Sequence, residues 1–256
     1  MIVRAADIVA PVGDATFALA DDRWQMAPGE RAAIEGLLSQ IRPALAIEIG
    51  TAQGGSLARI AAHSQEVHSF DLDPEVDESR FPNVTFHRGD SHVLLPEFLR
   101  ELEAQGRNVD FALVDGDHRA EGVRADVMHL VESSALRRGY VVMHDTMNEE
   151  VHQGLDAIDW AALAKVRYVD LAFTQLYSSD TPLFQERWGG LGLIAIDDGG
   201  DYSARTGVLS RRQDWPLQSR EIAWRALRPA RRLVRGLKHS VGDAVKRRGL
   251  RDRVPR

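Results

Sequence analysis

No cysteine occurs among the 256 residues. Disulfides are therefore excluded, and a cytoplasmic location is the natural expectation. No apolar run approaches the roughly 18 residues that a membrane-spanning helix requires. The opening residues, Met1-Ile2-Val3-Arg4-Ala5-Ala6-Asp7, lack a basic region followed by a continuous apolar core, so no signal peptide is expected. Internal repeats are also missing. What is present is ordinary: 44% hydrophobic and 27% charged residues, the balance of a globular chain long enough for one sizeable core.

Charge is unevenly spread beneath the net value of −6. From Arg211 to Arg256 there are 15 basic and 4 acidic residues, leaving 17 basic and 34 acidic residues before Arg211. An acidic body thus carries a basic tail. Within it Ala230, Leu233, Val234, Leu237, Val241, Ala244 and Val245 recur at three- and four-residue steps, with arginines and lysines on the other faces. That pattern is a basic amphipathic helix. It is read either as an element docked on the acidic body or as a peripheral contact with an anionic membrane at the inner face; an RNA-binding tail would look alike.

Along the chain, Ala27-Pro28-Gly29-Glu30 suits a helix start, Ile34, Leu37, Leu38 and Ile41 keep helical spacing, and Pro43 ends the run. Apolar β-type runs then appear at 44–49, 67–70, 84–86, 111–114 and 140–143, with amphipathic helical patterns between several of them. Runs apolar throughout, alternating with such helices, predict an α/β fold with a mostly parallel sheet covered on both faces. Two later runs, 166–173 and 191–196, are expected to pair antiparallel at one edge. Three regions follow: an N-terminal segment and helix over 1–42, an α/β domain over 43–202, and the helical tail over 203–256.

Chemistry concentrates in the turns after the strands. Glu48-Ile49-Gly50-Thr51-Ala52-Gln53-Gly54-Gly55-Ser56 runs from a strand through a glycine turn into a helix. Its glycines lie at G-x-x-x-G, not the G-x-G-x-x-G of a dinucleotide turn, and Glu48 would repel phosphates. A carboxylate there suits a ligand with an ammonium group; the plainer reading is a tight turn of any α/β protein. Asp71, ending the next run, suits a ribose diol. Asp115 and Asp145 end adjacent runs, so both carboxylates are expected at the carboxyl edge of the sheet, where two hard oxygen ligands suit Mg²⁺ or another divalent cation. The alternative is that they cap the helices that follow.

Taken in order, these stretches resemble the class I S-adenosylmethionine (SAM)-dependent methyltransferases. Val114-Asp115-Gly116-Asp117-His118 and Met143-His144-Asp145-Thr146 are similar to the metal-dependent O-methyltransferases, on the sugar-modifying side of that group. The resemblance implies a Rossmann-like, seven-stranded, mostly parallel sheet with an antiparallel edge strand. It implies SAM held by Glu48, Gly50, Thr51, Gly54, Ser56, Asp71, Gly89, Asp90, Ser91 and Asp115, and a cation held by Asp115, Asp145 and, where relatives carry an oxygen ligand, His144. His118 matches the position of the catalytic base, with Asp117 and His144 as rivals; a histidine suits general-base work near neutral pH.

The expected activity is methyl transfer to a hydroxyl of a sugar or glycosylated small molecule. A catechol-type enzyme would share every metal residue, and a non-catalytic SAM-binding module would have little use for Asp115, His118 and Asp145 together. A nucleic-acid substrate is disfavoured by the acidic body and by the lack of an Asn-Pro-Pro-Tyr-type motif for a flipped base. Trp24, Trp160, Tyr177 and Trp188 fall where an acceptor pocket is expected, as stacking surfaces or as ordinary packing. His63, His68, His87, His129 and His239 are read as structural. The sequence leaves a homo-oligomer open.

Overall fold

Proline fixes φ near its helical value and lacks only an N–H that a first turn leaves unpaired in any case. The computed structural model, which describes residues 23–174 and 188–199, accordingly places the first helix, α1, at Pro28–Ile41. Glu30 Oε2 accepts the Ala27 N–H at 2.6 Å across its first turn. Arg42, in the left-handed region with φ 49°, ends it before Pro43. The readings for residues 1–22, Tyr177, His239 and the tail from 203 onward lie outside the described residues.

The alternation continues as expected: β1 (Leu45–Ile49), α2 (Gly55–His63), β2 (Glu66–Asp71), β3 (Val84–Arg88), α3 (Ser91–Ala104), β4 (Phe111–Val114), α4 (Ala120–Glu132) and β5 (Arg138–His144). A further helix, α5 (Glu149–Asp156), was not legible beforehand; it is mostly polar, and Asn148 caps it by accepting the Glu150 N–H at 3.0 Å. The last strands are β6 (Val166–Thr174) and β7 (Leu191–Asp197).

The seven strands form one sheet in the order β3-β2-β1-β4-β5-β7-β6. β1 to β5 are parallel, whereas β7 is antiparallel to both β5 and β6. The last two strands thus pair antiparallel at one edge as expected, with β6 outermost and β7 one place in.

Alternation of side chains builds two cores from one sheet. Ile47, Ile49, Ala112, Val114, Val141 and Met143 face α3, α4 and α5. Their neighbours Ala46, Phe111, Leu113 and Val142 face α1 and α2 with Ile34, Leu38, Leu57 and Ile60. Burial on both faces is why these strands read as continuous apolar runs.

Register fixes what meets at the carboxyl edge. Ile49 pairs with Phe70 and with Val114, and Val114 pairs with Met143. The residue that follows each, Gly50, Asp71, Asp115 and His144, must then emerge side by side.

Candidate active site at the carboxyl edge of the sheet

His144 Nδ1 lies 2.9 Å from Asp115 Oδ1 and 3.5 Å from Asp145 Oδ2. His118, from the loop between β4 and α4, places Nε2 2.9 Å from Asp145 Oδ2 and 3.4 Å from Asp115 Oδ1. Two carboxylates and two imidazoles thus converge. Asp115, His144 and Asp145 each offer a ligand atom, all within 4.8 Å of one another. His118 Nε2 and His144 Nε2 are buried without a hydrogen-bond partner, although each sits at ion-pair distance from a carboxylate. Unsatisfied imidazole nitrogens beside paired carboxylates suit a divalent cation. The donor set fits the expected ion.

The loop after β5 is held in a costly conformation. Asp145 has φ 56°, a left-handed backbone that non-glycine residues adopt only when neighbours over-determine it. Those neighbours are visible: Gly189 N–H donates to Asp145 Oδ1, Met147 N–H donates to the Gly189 carbonyl at 3.0 Å, and Asn148 N–H donates to the Asp145 carbonyl at 2.8 Å. The segment entering β7 thereby aims the Asp145 carboxylate. Glu30 completes the cluster from α1. It is only 2% exposed, accepts the Gly190 N–H and brings Oε2 to 3.6 Å from His144 Nε2.

Electrostatics follow from this packing. Burial works against charge on His118, but the Asp115 and Asp145 carboxylates beside it raise its pKa to about 9. Burial likewise opposes charge on His144, yet Asp115, Glu30 and Asp145 together drive its pKa strongly upward. Burial alone would raise the Asp115 carboxyl; the charge on His144 and the contact with His118 instead pull it down to about 2. Without an ion, then, the two imidazoles are the countercharges of the carboxylates.

The β1–α2 turn lies next door. Gly50 has φ 87°, and a Cβ there would collide with the Asp115 carbonyl, so the turn presses against the loop that carries the site. Glu48 is fully buried and pushed up to about 8 by that burial, against the hydrogen bond from Ser56 Oγ at 2.7 Å and with the charge of Asp115 adding to the rise. Its Oε2 has no hydrogen-bond partner. An orphaned carboxylate oxygen at a glycine turn fits a cationic amine such as that of SAM. Asp71 accepts the N–H groups of Thr51 at 2.7 Å, Ala52 at 3.0 Å and Asp73 at 2.8 Å. Its carboxylate shapes the turn and keeps one lone-pair site for a diol.

Residues 47–146 match the family model described as "Methyltransferase domain". Among solved structures, an O-methyltransferase from Bacillus cereus in complex with SAH is similar, with a TM-score of 0.51, 15% identity, and coverage of 77% of this chain and 93% of that one. Cofactor-bound Rv0187 from MTB superposes with a TM-score of 0.50 at 14% identity, covering 77% of this chain and 99% of that one. No curated protein matches the sequence. The fold is a methyltransferase fold.

Within that methyltransferase fold the expected site residues separate into two groups. Asp115, His118, His144 and Asp145 meet directly, and Glu48, Gly50, Thr51, Gly54, Ser56 and Asp71 line or support the adjoining turn. Asp117 stands apart: its carboxylate is turned onto Arg119, accepting the backbone N–H at 2.9 Å and Nε at 2.9–3.0 Å. Burial would raise it, but these bonds hold it below the usual carboxylate range. Gly89, with φ 149°, leads into α3. There Asp90 caps the helix by accepting the His92 N–H at 2.9 Å, and Ser91 Oγ donates to Asp126 at 2.9 Å.

Among the described residues, Trp24 and Trp160 are core, 2% and 6% exposed, whereas Trp188 reaches the site, its ring edge-on to His118 at 5.2 Å. His63 pairs with Glu35 at 2.8 Å, His87 stacks on Phe70, and both His68 and His87 pack with tilted rings against Phe98, as structural histidines should. Sequence reasoning missed Glu30 and Asp126. Glu30 read as an acidic residue favouring a helix N-terminus, and only the long-range packing of α1 turns it inward. Asp126 carries a faint signal, a carboxylate among the apolar positions Val123, Val127 and Leu130 of α4, and it is fully buried.

Proposed function

We propose that the protein is a SAM-dependent O-methyltransferase that methylates a hydroxyl of a sugar or glycosylated small molecule with the help of a divalent cation. The observation that carries this reading is the convergence of Asp115, His118, His144 and Asp145 beside the Glu48–Gly50 turn. The sugar class is supported by the resemblance of Val114–His118 and Met143–Thr146 to the sugar-modifying branch.

When bound, SAM supplies an electrophilic methyl group, and a divalent cation supplies a positive charge that lowers the pKa of a nearby hydroxyl. Glu48, Ser56, Asp71 and the Gly89–Ser91 turn would hold the former; Asp115, Asp145 and His144 would hold the latter. His118 is the base. Its side chain as a whole is 30% exposed, while Nε2 is buried against Asp145 Oδ2 and Asp115 Oδ1. The imidazolium formed when the ring takes a proton is stabilised by those two carboxylates. Trp188, packed edge-on, limits rotation of the ring. General-base assistance of this kind is worth about 10²–10⁴-fold. Fixing donor and acceptor in one orientation contributes further, since effective molarities reach roughly 10⁵–10⁸ M.

The test is SAM turnover with sugar, catechol and RNA acceptors, each with and without EDTA. Transfer to sugars alone, abolished by chelation and restored by added cation, is expected. Turnover on catechols or RNA but not on sugars would overturn the acceptor assignment.

A further inference from the structure

The donor set differs from an all-oxygen one in a specific way, and Glu30 has no role in the chemistry described so far. We propose that His144 ligates the cation through Nδ1, that Glu30 is the positioning residue that holds the other face of its ring, and that the centre therefore prefers a first-row transition dication such as Mn²⁺ or Co²⁺ over Mg²⁺. This rests on the metal-assisted reading given above.

Three observations support it. First, His144 is buried, 7% exposed, and its Nδ1 faces both Asp115 Oδ1 and Asp145 Oδ2. A nitrogen among two carboxylates makes the set borderline in softness. An imidazole nitrogen suits first-row transition dications, Zn²⁺, Ni²⁺ or Fe²⁺ more than Mn²⁺, which stands lowest in that series, whereas Mg²⁺ favours oxygen and retained waters.

Second, His144 Nε2 lies 3.6 Å from Glu30 Oε2 and has no hydrogen-bond partner. Metal-ligating histidines commonly turn their second nitrogen to a carboxylate, which fixes ring orientation and leaves the first nitrogen free to ligate. Glu30 is placed for that duty.

Third, Glu30 is anchored more firmly than a helix cap requires. Oε2 accepts the Ala27 N–H at 2.6 Å, and Oε1 accepts the Gly190 N–H from the far side of the sequence. Gly190 follows Gly189, which itself donates to Asp145 Oδ1. One backbone dipeptide thus holds both the outer carboxylate and an inner ligand. A residue serving only to cap α1 would gain nothing by reaching Gly190 and turning toward His144 at 2% exposure.

Pulsed electron paramagnetic resonance of Mn²⁺ bound to the full chain, together with calorimetry of Mn²⁺, Co²⁺ and Mg²⁺, tests this without any turnover assay. Directly bonded nitrogen should modulate the Mn²⁺ signal in the wild type and vanish in His144→Asp, a variant that still binds Mn²⁺. Mn²⁺ and Co²⁺ should bind tighter than Mg²⁺ by about tenfold or more, a gap that closes in His144→Asp. Glu30→Gln, with nearly the same shape, should weaken Mn²⁺ about 10–100-fold while the SAM affinity stays unchanged. Mn²⁺ bound without nitrogen coupling, nitrogen coupling that persists in His144→Asp, or Mg²⁺ binding as tightly as Mn²⁺ would each overturn the inference and leave metal assistance standing. Failure of every dication to bind would remove both readings.

Discussion

Asp115 and His144 meet at 2.9 Å because Val114 and Met143, the residues before them, are paired across adjacent parallel strands. Strand register, and not loop flexibility, brings an acid and an imidazole together. The same row sets Gly50 and Asp71 one and two strands away, so the cluster of carboxylates and imidazoles and the β1–α2 turn share one scaffold. This geometry yields four predictions.

Asp71 is engaged by three backbone N–H groups. Asp71→Ala should therefore weaken SAM binding and also destabilise the fold by about 1–3 kcal/mol, the cost of stranding backbone donors. Calorimetry with SAM and a thermal melt measure the two effects. Loss of stability without loss of affinity would restrict Asp71 to a structural role.

Glu48 is raised from 4.5 to about 8. A carboxyl raised on folding contributes its full stability below about pH 4.5 and loses it progressively as pH climbs to about 8. Glu48→Gln should consequently raise the melting temperature of the ligand-free protein near pH 8 and leave it nearly unchanged near pH 4.5. SAM affinity should fall in the same variant, a stability gained at the expense of function.

His118 is raised from 6.5 to about 9. Its ion pairs with Asp115 and Asp145 are fully present below about pH 6.5 and fade as pH passes 9. In chelated protein, ring proton shifts followed by NMR should titrate near 9, and the titration should move to lower pH when a dication occupies the carboxylates. His118→Ala should cut kcat by about 10²–10⁴-fold with SAM affinity unchanged.

Gly190 has φ 86°, and a Cβ there would press on Met147 and Thr146. Gly190→Ala should cost roughly 1 kcal/mol or more, since alanine is strained at positive φ. Dication affinity should fall because Glu30 and the Asp145 loop lose a shared anchor, whereas the SAM side, built on β1 and β2, should be spared.

Much of this was legible in the sequence. Apolar runs located all seven strands, most plainly β1 and β4, where burial on both faces leaves no polar period to confuse with a helix. The acids at the strand ends were readable for the same reason: Asp115 and Asp145 interrupt those runs at their carboxyl ends. Contacts made across the fold were not legible. Glu30 meets Gly190, 160 residues away, and nothing in either neighbourhood announces the pairing. Asp117 and His118 were rivals on paper; that the Asp117 carboxylate turns onto the Arg119 guanidinium was not readable from their neighbourhood. The position of β7 inside β6 depends on how the chain returns after β6, which local patterning does not encode.

The most direct test of the account is single-turnover methyl transfer by Asp145→Ala. Asp145 contacts His118 and His144 but no residue of the β1–α2 turn among the bonds described. The variant should bind SAM as the wild type does, yet transfer no methyl group to a sugar acceptor at any concentration of Mg²⁺ or Mn²⁺. Wild-type rates in Asp145→Ala, or in wild-type protein after exhaustive chelation, would contradict metal-assisted transfer at this site.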